Sequence, residues 1–311
     1  MKIIVTGGAG FIASHIADAY IEAGHKVVVI DNLSKGFRRN LNPKAKFYKA
    51  DVTNLALMDQ IFKKERPAAV NHHAAIAVVE ESMRDPIPTL TVNTLGTVNT
   101  LIAFGRHGRD PKGGTRRFIL ASTGGAMYGD PAHIPVDETA PQDPLSPYGL
   151  SKQLAEHAVH FYAKQFGFDH LIFRYANVFG PRQNPKGEAG IVAIFGGLMK
   201  AGVRPIIFGD GSKSRDYVYV GDVAAANLAA LSKGRNATFN IGRGITTTDR
   251  QMFDAIAHEA GFVKGPKLAP FRPGEIYRIS LDASKARRVL GWKPRTDIPE
   301  GVRNALKEIR G

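Results

Sequence analysis

The sequence predicts an α/β protein built on a doubly wound parallel sheet, with a smaller mixed α/β domain toward the C-terminus. Two observations predict this fold. Apolar, β-branched runs alternate with helical segments over residues 1–175, and the alternation weakens after Gly180-Pro181. Apolar runs are typical of parallel strands because both of their faces are buried, and repeated strand–helix units favour a doubly wound sheet.

The first unit consists of a strand, a glycine-rich turn, a helix and a second strand. The run from Lys2 to Thr6 is β-branched and ends at glycines, and 26–30 is a similar run. Between them, from Phe11 to Ala23, apolar residues recur at helical spacing, and a glycine then ends the helix. This order of elements within about thirty residues predicts a βαβ unit.

The alternation continues along the chain. We expect further strands at 46–50, 68–72, 117–122 and 170–175, and helices at 54–65, 89–105 and 148–166. The segments 217–231 and 238–241 have the pattern of strand and helix pieces that return to the large sheet. The predicted domains are therefore 1–175 with the returning segment 217–243, and a substrate domain made of 176–216 and 244–311.

The composition excludes several classes of protein. The chain has 311 residues, of which 43% are hydrophobic and 23% charged, as in an ordinary globular protein. It has no cysteine, which excludes disulfide frameworks, thiolate zinc sites and cysteine nucleophiles and favours a cytoplasmic location. No stretch approaches the ~20 apolar residues of a membrane span, so we expect no membrane association.

The charge balance is strongly basic. Lys and Arg number 42 against 28 Asp and Glu, which gives a net charge of +14. Such a balance invites a nucleic-acid interpretation. The basic residues are dispersed, however, and the sequence contains neither a basic tail nor a common nucleic-acid motif. We therefore expect an enzyme with an anionic substrate and no nucleic-acid partner.

A glycine-rich loop, Gly7-Gly-Ala-Gly10-Phe-Ile-Ala13, separates the first strand from the first helix. Glycines in this context allow a sharp turn and a close approach of a pyrophosphate to the N–H groups of the helix N-terminus. Asp31 ends the second strand, where a carboxylate accepts hydrogen bonds from a ribose 2′-OH and repels a 2′-phosphate. The loop and Asp31 predict NAD as cofactor, and Arg38 and Arg39 leave NADP as an alternative.

A candidate catalytic pair lies in Ser146-Pro-Tyr148-Gly-Leu-Ser-Lys152. Tyr148 and Lys152 are four residues apart, which places them on one face of a helix. A free tyrosine has a pKa near ~10, and a neighbouring ammonium group favours its phenolate form. Tyr148 is therefore a candidate general base. A hydroxyl at the end of the preceding strand, in Ser122-Thr123-Gly124-Gly125, would complete a Thr–Tyr–Lys triad.

Together these motifs resemble the extended short-chain dehydrogenase/reductases, a family with a Rossmann fold, and among them the epimerases of nucleotide sugars. The motifs that carry the resemblance occur in order along nearly the whole chain: TGGAGFIAS (6–14), DNLS (31–34), DV (51–52), NTLGTVN (93–99), STGGAMYG (122–129), SPYGLSK (146–152), RYANVFGPRQ (174–183), IIFGDGSKSRDYVYVGDV (206–223), FNIGRG (239–244) and RPGE (272–275). The resemblance implies an NAD-dependent interconversion of UDP-galactose and UDP-glucose by transient oxidation at sugar C4.

The resemblance also implies which residues bind the cofactor. They are Gly7, Gly10, Phe11 and Ile12 at the pyrophosphate, Asp31 and Asn32 at the adenosine ribose, Asp51 and Val52 at the adenine, Asn93 close to the cofactor, and Tyr148 and Lys152 at the nicotinamide ribose.

For the UDP-sugar, the resemblance implies a second set of residues. They are Asn177, Arg215 and Arg272 at the phosphates, Phe208 beside the uracil, and Tyr217 and Glu275 near the ribose and the diphosphate. Two arginines on one diphosphate would give charge-assisted hydrogen bonds that hold the nucleotide while the sugar moves.

The chain departs from the family pattern at three places. The catalytic hydroxyl of many relatives falls on Gly124, so we expect Thr123 to supply it, with Ser122 as the alternative. His73 and Ile76 are unusual in the segment that forms the wall of the nicotinamide pocket. Ile279 stands where some relatives have a tyrosine that limits sugar size, so UDP-N-acetylhexosamines are alternative substrates.

The same residues bear on alternative functions. Gly124 and Gly125 stand where 4,6-dehydratases have an acid pair, which argues against elimination chemistry. A UDP-glucuronate 4-epimerase or decarboxylase stays open. A non-enzymatic NAD sensor is disfavoured because it needs no base.

Two further expectations concern metal ions and assembly. The pairs His157/His160 and His72/His73 have no carboxylate cluster nearby, so we expect no metal site. Relatives imply a homodimer formed through the helix at 89–105 and the helix that carries Tyr148.

Overall fold

The computed structural model describes residues 1–112, 114–185, 190–271 and 276–308. The strands in this part of the chain are β1 (Lys2–Thr6), β2 (Lys26–Asp31), β3 (Lys46–Lys49), β4 (Ala69–His72), β5 (Arg117–Thr123), β6 (Asp169–Tyr175), β7 (Asn177–Phe179), β8 (Ile206–Phe208), β9 (Ser214–Tyr219), β10 (Ala237–Ile241), β11 (Thr246–Thr248) and β12 (Lys267–Ala269). The helices are α1 (Phe11–Glu22), α2 (Leu55–Glu65), α3 (Val79–Arg84), α4 (Pro86–Leu90), α5 (Gly96–His107), α6 (Pro147–Phe166), α7 (Ile191–Lys200), α8 (Val220–Ala229), α9 (Asp249–Ala260), α10 (Ser284–Leu290) and α11 (Ile298–Glu308).

Seven parallel strands form the large sheet in the order β10-β6-β5-β4-β1-β2-β3. The chain moves outward from β1 to β3 on one side and returns to β4 on the other. Between β1 and β4 the direction of winding therefore reverses. In an open parallel sheet this reversal leaves a crevice outside the carboxyl ends of the strands, where ligands bind. The predicted doubly wound parallel sheet is confirmed.

Apolar layers cover both faces of this sheet. Alternate residues of β1 point to opposite sides, so that Ile3 packs with the residues of α1 and Ile4 with those of α2 and α5. Both side chains are fully buried. A strand buried on two faces cannot alternate apolar and polar residues, which explains why these strands read as continuous apolar runs.

The smaller substructure contains a three-stranded sheet, β11-β9-β7, and the pair β12-β8. Helices α7, α9 and α11 cover it with a separate apolar cluster that includes Phe179, Phe195 and Phe253. Helix α9 begins at a capping box in which the side chains of Thr248 and Gln251 bond each other's backbone N–H groups.

Two segments differ from the sequence expectation. The helix expected at 89–105 already begins at Pro86, continues through a wider turn at Thr91–Leu95, and ends at His107. Of the segment 217–243, α8 packs against α1 and β10 joins the large sheet, whereas its first residues lie in β9 of the three-stranded sheet. Strand β9 pairs in parallel with β7, the short strand that follows β6 in the chain.

None of the helices in the described ranges is long and apolar enough to cross a membrane.

The histidine pair on α6 and β6 is packed ring against ring. The rings of His160 and His170 meet edge to face at 4.7 Å. His170 is 7% exposed, and neither of its ring nitrogens has a hydrogen-bond partner among the residues that the structure describes. Burial, followed by the nearby His160, lowers the pKa of His170 to about 4.

The first prediction concerns stability at acid pH. His170 has its ordinary pKa of 6.5 in the unfolded chain and a pKa of about 4 in the folded chain, so this site's contribution to stability is complete above pH 6.5 and is lost as the pH falls from 6.5 to 4. Replacing His170 with Leu should remove about 2 kcal/mol of the stability loss between pH 7.5 and 5. Urea unfolding at both pH values measures this difference. The exposed His157→Gln is the control, and an unchanged acid loss in His170→Leu would contradict the prediction.

Candidate active site

A cleft of about 360 Å³ opens at the carboxyl ends of the large sheet's strands, at the point where the winding reverses. Its lining includes the predicted residues Gly7, Gly10, Phe11, Ile12, Asp31, Asn32, Asp51, Val52, Tyr148 and Lys152. Residues as far apart in sequence as Gly7 and Lys152 thus meet along one continuous surface.

The glycine turn forms the middle of the cleft. Gly7 has a φ of +68°, and a Cβ at this position would lie 2.7 Å from the backbone N of Ala74. A side chain is therefore excluded both by conformation and by space. Gly10 precedes the first residue of α1 and offers no side chain to cap it. The N–H groups of the first helical turn consequently face the cleft, which fits the pyrophosphate of a dinucleotide.

Asp31 ties the end of β2 to the glycine turn. Its carboxylate accepts the N–H of Ala9 at 3.0 Å and that of Leu33 at 2.7 Å. Burial raises the pKa of Asp31, although these two N–H groups oppose the change. Next to it, the amide of Asn32 donates to the carboxylate of Asp51 at 2.8 Å. The predicted ribose and adenine residues therefore form one hydrogen-bonded end of the cleft.

Arg38 and Arg39, the reason for considering NADP as an alternative cofactor, each lie over an aromatic ring. The guanidinium carbon of Arg39 lies 4.5 Å from the ring centre of Phe37, and that of Arg38 lies 5.5 Å from Phe47. Phe37 lines the cleft, but neither arginine does. This arrangement and the carboxylate of Asp31 fit a cofactor without a 2′-phosphate.

Tyr148 and Lys152 lie at the opposite end of the cleft, one turn apart on α6. The helix starts where Ser146 accepts the N–H of Gly149 at 3.1 Å, which fixes the turn that carries Tyr148. Lys152 is 5% exposed, and its Nζ donates to the carbonyl of Ala121 at 2.9 Å. A buried ammonium beside a tyrosine is suited to stabilising a phenolate.

The two candidate catalytic hydroxyl groups, those of Ser122 and Thr123, have different hydrogen-bond partners. Ser122 lines the cleft, but its hydroxyl donates to the carboxylate of Glu156 at 2.6 Å. Thr123 is not part of the cleft lining; its Oγ1 accepts the N–H of Ala126 at 3.2 Å, which leaves the hydroxyl hydrogen for another acceptor. The hydrogen-bond pattern favours Thr123 as a donor to substrate.

The two glycines after Thr123 are packed against neighbouring side chains. A Cβ at Gly124 would lie 2.4 Å from Cδ1 of the fully buried Leu281, and one at Gly125 would lie 3.3 Å from Oδ1 of Asn177. A side chain at 124 therefore needs space that Leu281 occupies.

Asn93 lies behind the cleft rather than in its lining. Its amide accepts the N–H of Ile76 at 2.7 Å and donates to the carbonyl of Ile76 and the hydroxyl of Ser151, both at 2.9 Å. It holds the wall segment to the helix that carries Tyr148. Its position is close to the predicted cofactor, but all its polar atoms are used within the protein.

The unusual wall segment contributes His73, which lines the cleft together with Tyr175. The two rings are stacked, and Nε2 of His73 lies 3.2 Å from the hydroxyl of Tyr175. Burial and then the charge of Lys152 hold the pKa of His73 well below its usual range, so its imidazole is neutral.

On the substrate side, the structure describes four of the six predicted residues. Asn177 and Tyr217 are paired across β7 and β9, and Arg215 lies two residues before Tyr217 on the same strand. The guanidinium group of Arg215 donates to the carbonyls of Ser214 and Tyr277. Phe208 lies on β8. Arg272 and Glu275 lie outside the described residues.

Some residues of the cleft were not predicted from the sequence. Tyr175 could have been found from the strand-end rule, since it is the last residue of a parallel strand. Lys35, Arg182 and Asn184 also line the cleft. Arg182 belongs to the quoted motif RYANVFGPRQ but was given no role, and Lys35 and Asn184 lie in loops outside the quoted motifs.

No group of three or more His, Asp or Glu side chains within the described ranges is arranged to hold a metal ion.

A doubly wound sheet with a glycine turn and an acid at the end of its second strand defines a dinucleotide-binding protein of the Rossmann type. The sequence model of the NAD dependent epimerase/dehydratase family matches residues 3–242. The chain belongs to this family.

Relatives that match over nearly their full length include proteins named as UDP-glucose 4-epimerases. The chain is 45% identical to a putative UDP-glucose 4-epimerase of Methanocaldococcus jannaschii, covering 99% of this chain and 98% of the relative. It is 38% identical to a UDP-glucose 4-epimerase of Mycolicibacterium smegmatis, with 100% and 99% covered.

Solved structures of nucleotide-sugar epimerases have the same fold as this chain. The UDP-glucose 4-epimerase of Thermotoga maritima with UDP-glucose superposes with a TM-score of 0.95 at 43% identity, covering 99% and 98% of the two chains. The Thermus thermophilus UDP-glucose 4-epimerase in complex with NAD gives 0.92 at 39% identity, covering 100% and 99%. A UDP-N-acetylglucosamine 4-epimerase of Methanobrevibacter ruminantium gives 0.91 at 31% identity, covering 99% and 97%.

The second prediction tests the packing at the end of β5. Gly124→Ala should destabilise the fold by about 1 to 3 kcal/mol, because its Cβ overlaps Leu281 in a core that is already full. Urea unfolding measures the change. Gly265→Ala is the control, since a Cβ there meets no atom within 4 Å. Equal stability of the two variants would contradict the steric argument.

Proposed function

We propose that this protein is an NAD-dependent epimerase that interconverts UDP-galactose and UDP-glucose through transient oxidation at sugar C4. The observation that carries the proposal is the position of Tyr148 and Lys152, one turn apart on α6, at the end of a dinucleotide cleft. The full-length relatives named UDP-glucose 4-epimerase support it.

The residues of the cleft fit NAD. The turn at Gly7 has no room for a side chain, so a pyrophosphate can approach the backbone closely, and the N-terminus of α1 faces the cleft. We assign the pyrophosphate to Gly7, Gly10, Phe11 and Ile12, the adenosine ribose to Asp31 and Asn32, and the adenine to Asp51 and Val52. The chemistry that bound NAD supplies is reversible hydride transfer with sugar C4.

The proton is handled by the protein's own side chains. The phenolate of Tyr148 takes the proton of the sugar 4-OH as the C4 hydrogen leaves as hydride, and a C4 carbonyl forms. Lys152 stabilises the phenolate, and Thr123 donates a hydrogen bond to the sugar oxygen. Reversal of both transfers after the keto sugar has rotated gives the other epimer. Hydride and proton each return to the sugar, so that no net redox change occurs.

The nucleotide has to stay bound while the sugar rotates. We assign this task to Asn177, Arg215 and Arg272 at the phosphates, with Phe208 at the uracil and Tyr217 and Glu275 near the ribose and the diphosphate. Strong charge-assisted hydrogen bonds to the diphosphate hold the nucleotide, so the sugar itself can be bound weakly and can rotate.

We further propose a division into two domains, 1–175 with 217–243, and 176–216 with 244–311. Helix α8 and strand β10 support this division, since both pack on the large sheet although they follow β9 in sequence. The absence of cysteine from the sequence supports a cytoplasmic location.

A homodimer is proposed from the exposed apolar face of the helices that relatives use for dimerisation. Leu101, Ala155 and Val159 are fully buried in the protein's own core, but Leu154 is 40% and Phe161 64% exposed on α6. Exposed apolar side chains two turns apart on one helix face fit a partner helix pair. A monomeric mass in sedimentation equilibrium would contradict the dimer.

The third prediction is the direct test of function. Purified protein without added nicotinamide should convert UDP-galactose to UDP-glucose, measured by a coupled assay, because NAD is regenerated in each turnover and stays bound. Tyr148→Phe should lower the rate by at least about 10²-fold through loss of the base. Tyr162→Phe, on the same helix but away from the cleft, is the control. No conversion by the parent protein, even with NAD supplied, would refute the proposal.

The fourth prediction separates the two hydroxyls. Thr123→Val should lower kcat by about 10²-fold, the size expected for a lost donor to a developing oxyanion. Ser122→Ala should instead lower stability by about 1 to 3 kcal/mol, since Glu156 loses a buried donor, with kcat changed less. The reverse ranking in kcat would assign the catalytic hydroxyl to Ser122.

A second candidate substrate class follows from the family resemblance at Ile279, which stands where some relatives have a tyrosine that limits sugar size. Ile279 is 2% exposed and belongs to the same apolar cluster as Leu281. UDP-N-acetylglucosamine and UDP-glucuronate are therefore tested in the same assay. Conversion of UDP-N-acetylglucosamine at a rate near that of UDP-glucose would extend the substrate range to N-acetylated sugars.

A further inference from the structure

A buried ion pair lies directly behind the candidate active site. Glu156 on α6 is 2% exposed and Arg174 on β6 is 3% exposed. The guanidinium Nε lies 3.0 Å from one carboxylate oxygen and Nη2 lies 2.7 Å from the other. Such a bidentate pair has a defined geometry. A buried pair is weak evidence for stability alone, because its desolvation offsets its attraction.

The pair is the centre of a hydrogen-bonded network. Glu156 also accepts from the hydroxyl of Ser122 at 2.6 Å and from the amide of Gln142 at 3.3 Å. Arg174 also donates to the hydroxyl of Tyr128 at 2.9 Å, which in turn donates to Asn240 at 2.7 Å. The network therefore joins α6 to β5, β6 and β10, and to the turn that follows Thr123.

The same face of α6 carries the candidate catalytic pair. Tyr148, Lys152 and Glu156 recur every four residues, so they lie on successive turns of one face. Lys152 is bonded to the carbonyl of Ala121, and Glu156 to the side chain of the next residue, Ser122. Two successive turns of the helix are thus fastened to two successive residues of β5.

The charge of Arg174 requires compensation at this place. The pair's charges act along the helix. Burial lowers the pKa of His160, one turn beyond Glu156, and of the nearby charges Glu156 raises it while His157 and Arg174 lower it. Lys152 lies one turn away in the other direction. Other titratable groups near the pair or near Tyr148 are Tyr128 on the turn, Glu138 beside Asn240, His170 on β6, His72 at the end of β4 and His73 after it, and Glu80, Glu81 and Arg84 on α3, whose Ser82 accepts the N–H of Tyr148.

We propose that Glu156 is a positioning residue for the reaction. It cancels the charge of Arg174, with which it pairs one turn beyond Lys152, and it bonds the helix that carries Tyr148 and Lys152 to β5. The inference rests on the proposed roles of Tyr148 and Lys152. An uncompensated Arg174 would add a second cation below the phenolate and lower the pKa of the base beyond what Lys152 sets.

The test measures the pKa of Tyr148 without reference to catalysis. Phenolate absorbance is titrated in the parent protein and in Glu156→Gln, and the titration of the corresponding Tyr148→Phe protein is subtracted from each. Glu65→Gln is the matched control, because Glu65 is 4% exposed, is bonded to Lys2 and Lys46, and lies on α2. Both substitutions remove the charge of a buried carboxylate that is ion-paired, so both should lower the melting temperature, although the lysine partners of Glu65 are 36% and 50% exposed.

Only Glu156→Gln should move the titration. We expect the pKa of Tyr148 to fall by about 0.5 to 1 unit, the effect of a unit charge across eight helical residues, about 12 Å. The acid limb of the kcat/KM profile should shift equally. In Glu156→Gln/Arg174→Met both charges are gone, and the pKa of Tyr148 should return to the parent value.

An unchanged pKa in Glu156→Gln, with a loss of melting temperature like that of Glu65→Gln, would reduce Glu156 to a structural role and overturn the inference. A double variant shifted as far as the single one would overturn it as well. If Glu156→Gln does not fold, Arg174→Gln leaves the opposite charge, and the pKa of Tyr148 should rise by a similar amount; no rise would overturn the inference. Lack of epimerase activity in the parent protein would refute the proposed function and leave the titration interpretable.

Discussion

Everything at the candidate active site depends on one constraint, the parallel alignment of seven strands whose winding reverses between β1 and β4. Parallel pairing brings the carboxyl ends of all strands to the same edge. Residues distant in sequence, such as Thr6, His72, Thr123 and Tyr175, become neighbours through the register of adjacent strands. The reversal then leaves that edge uncovered, because the connecting helices depart to opposite faces on its two sides.

Concentrating polar groups at this edge has an energetic cost, and the protein offsets much of it by giving buried side chains local hydrogen-bond partners. Asp31 takes two backbone N–H groups, Asn93 uses its whole amide on Ile76 and Ser151, and Glu156 takes donors from β5 and β6. Leaving a buried polar group without a partner costs about 1 to 3 kcal/mol, more than the roughly 1 kcal/mol that a hydrogen bond contributes net. The side chains that face the cleft are therefore held by those behind it, which is the condition for a preorganised site.

The smaller substructure is attached to this edge by a buried carboxylate. Asp216 is 1% exposed and accepts the N–H groups of Arg243, Gly244 and Leu281. Burial raises its pKa, although these three donors oppose the change. The attachment also fixes Leu281, whose side chain fills the space above Gly124. The architecture of the substrate side thus determines which position of the strand end is available for a catalytic hydroxyl.

Local patterns in the sequence are enough to predict the doubly wound sheet, the glycine turn, the acid at the end of β2 and the Tyr148–Lys152 pair. These patterns are apolar runs, positions where only glycine fits, and the four-residue spacing of a helix face. Three contacts became visible only in the folded chain: Ser122 is bonded to Glu156, Leu281 occupies the space beside Gly124, and His73 stacks on Tyr175. Each of these contacts joins residues between 34 and 157 positions apart, and no local pattern encodes them. They arise from the packing of whole strands and helices, which fixes distances that the spacing of residues along the chain leaves open.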